Sequence, residues 1–141
     1  MFHVVLHRPE IPPNTGNRLH LVRPLGFELD DARLRRAGLD YREYADVSVH
    51  ESLEGFVDAA QPARLFAFTQ HAVRLYTDVA YANGDALLFG SESDGLPSVV
   101  LDHPVVADRL RIPIAPGGRS LNLANAAAIV VYEAWRQNGF V

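Results

Sequence analysis

The sequence predicts an α/β fold, a parallel sheet flanked by helices, on the strength of three observations. Its apolar residues fall in runs of four or five with little polar alternation, as in strands covered on both faces. Helix-like segments lie between those runs, as the crossovers of a parallel sheet require. The final segment, about Asn122 to Gln137, is apolar almost all round from Leu123 to Val131, so it must be buried on more than one side.

The predicted strands are Phe2 to Leu6, Leu19 to Val22, Leu65 to Phe68, Ala86 to Phe89 and Leu110 to Ile114. Asp31 is placed to cap a short helix over Ala32 to Ala37, stopped by Gly38. Ser52 to Ala60 carries Leu53, Phe56 and Val57 on one helical face, and Leu96 to Leu101 forms another short helix. The last helix stops at Asn138-Gly139. With 141 residues, 48% of them hydrophobic, residues 1–141 form a single domain with one core. No apolar stretch approaches a membrane span and no signal-peptide pattern opens the chain, so a soluble, cytoplasmic protein without membrane contact is expected.

Cysteine is absent, which excludes disulfide scaffolds, cysteine nucleophiles and cysteine-ligated zinc. The net charge of −4 argues against a diffuse electrostatic grip on nucleic acid. All 13 basic side chains are arginine, whose planar fork suits local contacts to phosphate and base, although codon usage explains that composition more simply. The six histidines show no metal-ligand spacing; His3 and His7 share a strand face, where packing accounts for them. Serine-hydrolase, dinucleotide and Walker signatures are also missing.

In parallel sheets ligands bind at the carboxyl ends of strands, which directs attention to the loops after Phe68, Phe89 and Ile114. In the second loop, Gly90 admits a ligand to the backbone and Glu92 adds a carboxylate, or the stretch is an ordinary glycine-bracketed turn. In the third, Gly117-Gly118 leads to Ser120 and Asn122 at a helix start, where free N–H groups suit an anion or one side chain simply caps. After the first strand, Pro9-Glu10-Ile11-Pro12-Pro13-Asn14-Thr15-Gly16-Asn17 reads equally well as a ligand loop or a rigid turn.

Taken in order, Ile11-Pro12-Pro13-Asn14-Thr15-Gly16-Asn17, Phe89-Gly90-x-Glu92-x-x-Gly95-Leu96, Ile112-Pro113 with Ser120-Leu121-Asn122, and Tyr132-Glu133-Ala134 resemble the SPOUT methyltransferases. Within them the chain is most similar to the short tRNA 2′-O-methyltransferases that modify the wobble nucleotide, and the likeness extends through Arg33 to Tyr41. The resemblance implies a C-terminal trefoil knot around Ile112 to Gln137, a homodimer, S-adenosyl-L-methionine as cofactor, no metal, and the anticodon stem-loop of tRNA as partner. It implies a cofactor held by backbone groups at Phe68, Gly90, Ile112 and Ser120, with Leu121 against the adenine. Asn14, Asn17, Glu92, Ser120 and Asn122 match positions that line the reaction site. Asn17, Glu92, Ser120 and Asn122 are the catalytic candidates; Asn14, Arg119 and Tyr132 are candidates for substrate contact.

Three departures stand out: Ala124 in place of serine, Gln70-His71 in place of a threonine-lysine pair, and a jump after Asn17 straight into the second strand. Too few residues lie between Leu6 and Leu19 for a helical crossover. Relatives carry a further stretch there, including the arginine assigned to activating the ribose hydroxyl, a role not carried over to Arg18. An omitted segment, with a chain gap between Asn17 and Arg18, is the expectation. The rival readings are a non-enzymatic RNA- or cofactor-binding dimer on the same scaffold and, more remotely, a flavodoxin-like flavin module.

Overall fold

The computed structural model describes residues 2–7, 18–23 and 47–141. Its strands are β1 (His3–His7), β2 (Arg18–Val22), β3 (Val47–His50), β4 (Leu65–Phe68), β5 (Ala86–Phe89) and β6 (Val106–Leu110). All pair in parallel in one sheet of order β3-β2-β1-β5-β4-β6. The helices are α1 (Leu53–Ala60), α2 (Ser98–Leu101) and α3 (Leu123–Gln137).

Side chains alternate across a strand, so each central strand feeds two cores. On one face Val4, Leu6, Leu19, Leu21, Phe66, Phe68, Leu87 and Phe89 pack with α3. On the other Val5, Val22, Leu65, Ala67, Ala86 and Leu88 pack with Leu53 and Phe56 of α1 and Val100 of α2. This is why those runs are apolar without alternation: both faces are covered. α1 starts where Ser52 accepts the Gly55 N–H at 3.1 Å, and α3 starts at Asn122, whose Oδ1 accepts the Asn125 N–H at 3.0 Å.

Helix α3 departs from expectation. It buries one stripe, Leu123, Ala127, Val130, Val131 and Ala134, and leaves Tyr132 61% and Trp135 39% exposed. The two outward rings meet edge to face at 5.7 Å, and Trp135 meets Phe140 at 5.2 Å. At its far end the helix is clasped to residues 79–81. Gln137 accepts the Tyr81 N–H at 2.9 Å and donates to the Val79 carbonyl at 3.1 Å, and Asn138 donates to the Tyr81 carbonyl at 3.1 Å.

Two strands correct the sequence reading, and both are sheet edges. β3 was not expected, and the last strand runs over Val106–Leu110 rather than Leu110 to Ile114. Edge strands are covered on fewer sides and tolerate polar residues, so Ser48, Asp108 and Arg109 interrupt the apolar runs that mark inner strands. Beyond Leu110, Arg111 bridges to Leu75 before Pro113, which has no N–H for a ladder. The helix expected after Asp31 and the chain gap expected at Asn17 lie outside the described residues. β1 and β2 do pair directly, His3 opposite Arg18.

Candidate functional site

Three loops leave the sheet at the carboxyl ends of β4, β5 and β6 and meet the first turn of α3 around a cleft of about 360 Å³. That size suits a small-molecule ligand. Phe68 and Phe89, paired across β4 and β5, stack at 4.7 Å with only 12° between ring planes and give the cleft an apolar base. Leu96, Ile112, Ile114 and Leu121 add apolar wall; Gln70, Ser91, Glu92, Ser93, Asp94 and Ser120 supply polar groups.

The β5 loop holds its own shape. Gly95 N–H donates to the Ser91 carbonyl at 3.0 Å and Asp94 N–H to Ser91 Oγ at 3.1 Å. A Cβ on Gly90 would lie 2.1 Å from the Gly95 carbonyl carbon and 2.3 Å from the Leu96 nitrogen. The glycine is therefore required by the chain's own backbone folding back on it, whatever the ligand. In the β6 loop, Tyr76 N–H donates to the Arg111 carbonyl and Arg111 N–H to the Arg74 carbonyl, each at 2.9 Å. Gly117 then takes a φ of 77°, and a Cβ at Gly118 would press Ile114 Cγ2 at 2.8 Å. Across the cleft Gln70 Nε2 donates to Ser120 Oγ at 2.6 Å.

The five residues expected at the cofactor, Phe68, Gly90, Ile112, Ser120 and Leu121, all line this cleft, as does Glu92. Asn122 does not; its carboxamide oxygen is the α3 cap, so the capping alternative is realised. Arg119 is exposed on the loop outside the lining, and Tyr132 lies on the outward face of α3. Asn14 and Asn17 are outside the described residues. Thr69, Gln70, His71, Leu96, Ile114, Leu123 and Ala126 line the cleft without having been singled out as site residues. The strand-end rule pointed at the loop after Phe68, but gave no reason to choose particular side chains in it.

On the other half of the sheet three histidines form a chain. His3 Nδ1 lies 3.1 Å from His20 Nε2, and His20 Nδ1 lies 3.0 Å from His50 Nε2. All three rings meet Phe56 of α1, the His20 ring at 4.8 Å. Burial, then the neighbouring His3 and His50 and the charge of Arg18, pull the His20 pKa down to about 4. The nitrogens face one another in series rather than converging, and no set of three metal-ligating side chains gathers among the described residues.

The chain belongs to the SpoU rRNA methylase family, whose model matches residues 1–132. Among its relatives, a protein of Burkholderia ambifaria named tRNA (cytidine(34)-2′-O)-methyltransferase is 53% identical over 152 aligned positions, which cover 99% of this chain and 97% of that protein. A solved structure concerned with 2′-OH methylation of C/U34 on tRNA superposes with a TM-score of 0.86 at 42% identity, covering 99% of this chain and 97% of the other. An AdoMet-bound rRNA methyltransferase from Sinorhizobium meliloti superposes with a TM-score of 0.80 at 25% identity, covering 96% of this chain and 56% of that one. The methyltransferase likeness read from the motifs thus holds over the whole chain, and the flavin alternative falls away.

Proposed function

We propose that the chain methylates the ribose 2′-oxygen of the wobble nucleotide of tRNA, using S-adenosylmethionine. One observation carries the reading: a relative with that named activity is 53% identical over nearly the full length of both proteins. The cleft supports the cofactor chemically. Its apolar base and walls suit a purine, its hydroxyls suit a ribose, and the carboxylates of Glu92 and Asp94 suit a ligand that carries positive charge.

S-adenosylmethionine would supply a methyl group activated on a sulfonium, and Phe68, Gly90, Ile112, Ser120 and Leu121 would hold it in the cleft. The protein's part is to exclude water, hold the two reactants in line and provide a route for the hydroxyl proton. Phe68, Gly90, Ile112, Ser120 and Leu121 are assigned to the cofactor. Asn17, Glu92, Ser120 and Asn122 are assigned to the reaction, and Asn14, Arg119 and Tyr132 to RNA.

Residues 1–141 act as one domain in the cytoplasm, with the segment around Ile112 to Gln137 threaded through a trefoil knot. The outward aromatic cluster of Tyr132, Trp135 and Phe140 supports a homodimer seated on α3, because an exposed apolar patch of this kind favours a partner.

A second reading, binding without transfer, draws on the length of the chain. The alignment with the Burkholderia protein has 152 positions against 141 residues here, so part of the relative has no counterpart. Calorimetry with S-adenosylmethionine followed by methyl transfer to unmodified tRNA, read by nucleoside mass spectrometry, separates the two. A 2′-O-methylated wobble nucleotide establishes the enzyme; cofactor binding without product establishes the second reading.

A further inference from the structure

We propose that Gln70 is a positioning residue that latches Ser120 and its loop over the cleft; the inference rests on the reading of the cleft as an S-adenosylmethionine site. Residues 115–122 are exposed throughout and include Gly117-Gly118, so little in the loop itself fixes its path. Its own hydrogen bond, Gly118 N–H to the Ala115 carbonyl at 2.8 Å, is internal. The bond from Gln70 ties this loop to the chain just beyond β4.

The other end of the latch is tied to the sheet. Gln70 follows Phe68 at the end of β4, where Thr69 N–H donates to the Leu110 carbonyl at 2.9 Å and extends the ladder to β6 by one residue. A side chain in the turn that follows β4 thus reaches a loop 50 residues further along the chain. The direction of the bond matters as well. Because Ser120 Oγ accepts from the amide, its own proton remains to donate toward a ligand acceptor in the cleft. The latch therefore pre-orders the loop and aims the serine hydroxyl, two contributions that cofactor binding would otherwise have to supply.

Such an effect belongs to binding rather than to the chemical step. Gln70→Ala is expected to weaken S-adenosylmethionine about 3- to 10-fold by calorimetry, the size of one net hydrogen bond. KM for the cofactor rises in step, while kcat at saturating cofactor holds within about twofold. Both partners of the bond are exposed, so the thermal midpoint without ligand does not move. Combining Gln70→Ala with Ser120→Ala costs less than the sum of the single losses, because the two changes remove the same bond. Unchanged affinity in Gln70→Ala, strictly additive losses, or a fall in kcat with KM unmoved would each overturn the proposal while leaving the cofactor reading intact. Wild-type protein that fails to bind S-adenosylmethionine overturns both.

Discussion

Replacing His20 by leucine should make the fold less stable at neutral pH and, at the same time, less sensitive to acid. In the chain of His3, His20 and His50 the central imidazole is engaged through both nitrogens, and when neutral it can donate through one and accept through the other. A proton added to His20 turns both of its nitrogens into donors inside a site that is 7% exposed, beside Arg18 and two further imidazoles. Its folded pKa, about 4, therefore lies below the ordinary 6.5. Between those values the unfolded chain binds the extra proton and the folded one does not, so stability is complete above about pH 6.5 and drains as pH falls toward 4. At about 1.4 kcal/mol per unit the full linkage is about 3 kcal/mol, and about 2 kcal/mol of it is gone by roughly pH 5. That is a large part of a stability of ~5–15 kcal/mol. Burial lowers His3 and His50 in the same direction. The leucine variant strips His3 and His50 of their shared partner, at about 1–3 kcal/mol near neutrality. Urea unfolding of both proteins from about pH 7.5 to 5, at one fixed protein concentration, reads the difference. Carboxylates such as Glu133, held down at about 2 by its bonds from Arg136 and Gln137, act equally on both proteins and cancel. Parallel stability curves for the two would refute the argument.

Light scattering should show a dimer for the wild type at micromolar concentration, and Tyr132→Ala with Trp135→Ala should shift it toward monomer, since both rings lie on the outward face of α3. A wild-type monomer would sink the interface. Asn122→Ala is expected to abolish methyl transfer and to cost about 1 kcal/mol of stability through the lost cap on Asn125; normal turnover would remove Asn122 from the reaction. Gly90→Ala should cost ~1–3 kcal/mol or more and eliminate cofactor binding, because the added carbon meets backbone at 2.1 Å and must spring the 90–96 loop open. Native-like affinity in that variant would show the loop yields more easily than its packing indicates.

The inner sheet was legible because its chemistry is one-sided: β1, β4 and β5 are buried at every residue, β4 and β5 are apolar throughout, and β1 carries Val4-Val5-Leu6 between its two histidines. The same criterion failed at β3 and displaced β6, where edge positions admit Ser48, Asp108 and Arg109. At the site, Gly90, Ile112 and Ser120 were readable from motif order together with the strand-end rule. Gln70 was visible only as a departure, since its partner is 50 residues away and no local pattern encodes that contact. The histidine chain was hidden for the same reason: His3, His20 and His50 sit on three different strands and meet only through the diagonal register of the sheet. Asn122 shows a different limit, because a helix cap and a site residue are written with the same amino acid in the same place.

The order of the strands also bears on how the chain is made. β1 lies between β2 and β5, so during synthesis it finds one neighbour almost at once and the other only when residues 86–89 appear. At ~5–20 residues per second, the interval between the two is on the order of 3–13 s. Throughout it an apolar edge, Val4-Val5-Leu6, faces the cell with its ladder half made, an opening for chaperones and for wrong pairing alike. The segment that shields one face of the finished sheet, α3, arrives after all six strands. A nascent chain stalled before residue 86 therefore presents a strand that is buried in the finished fold at its most adhesive, and ribosome-bound fragments ending on either side of β5 should differ sharply in protease resistance.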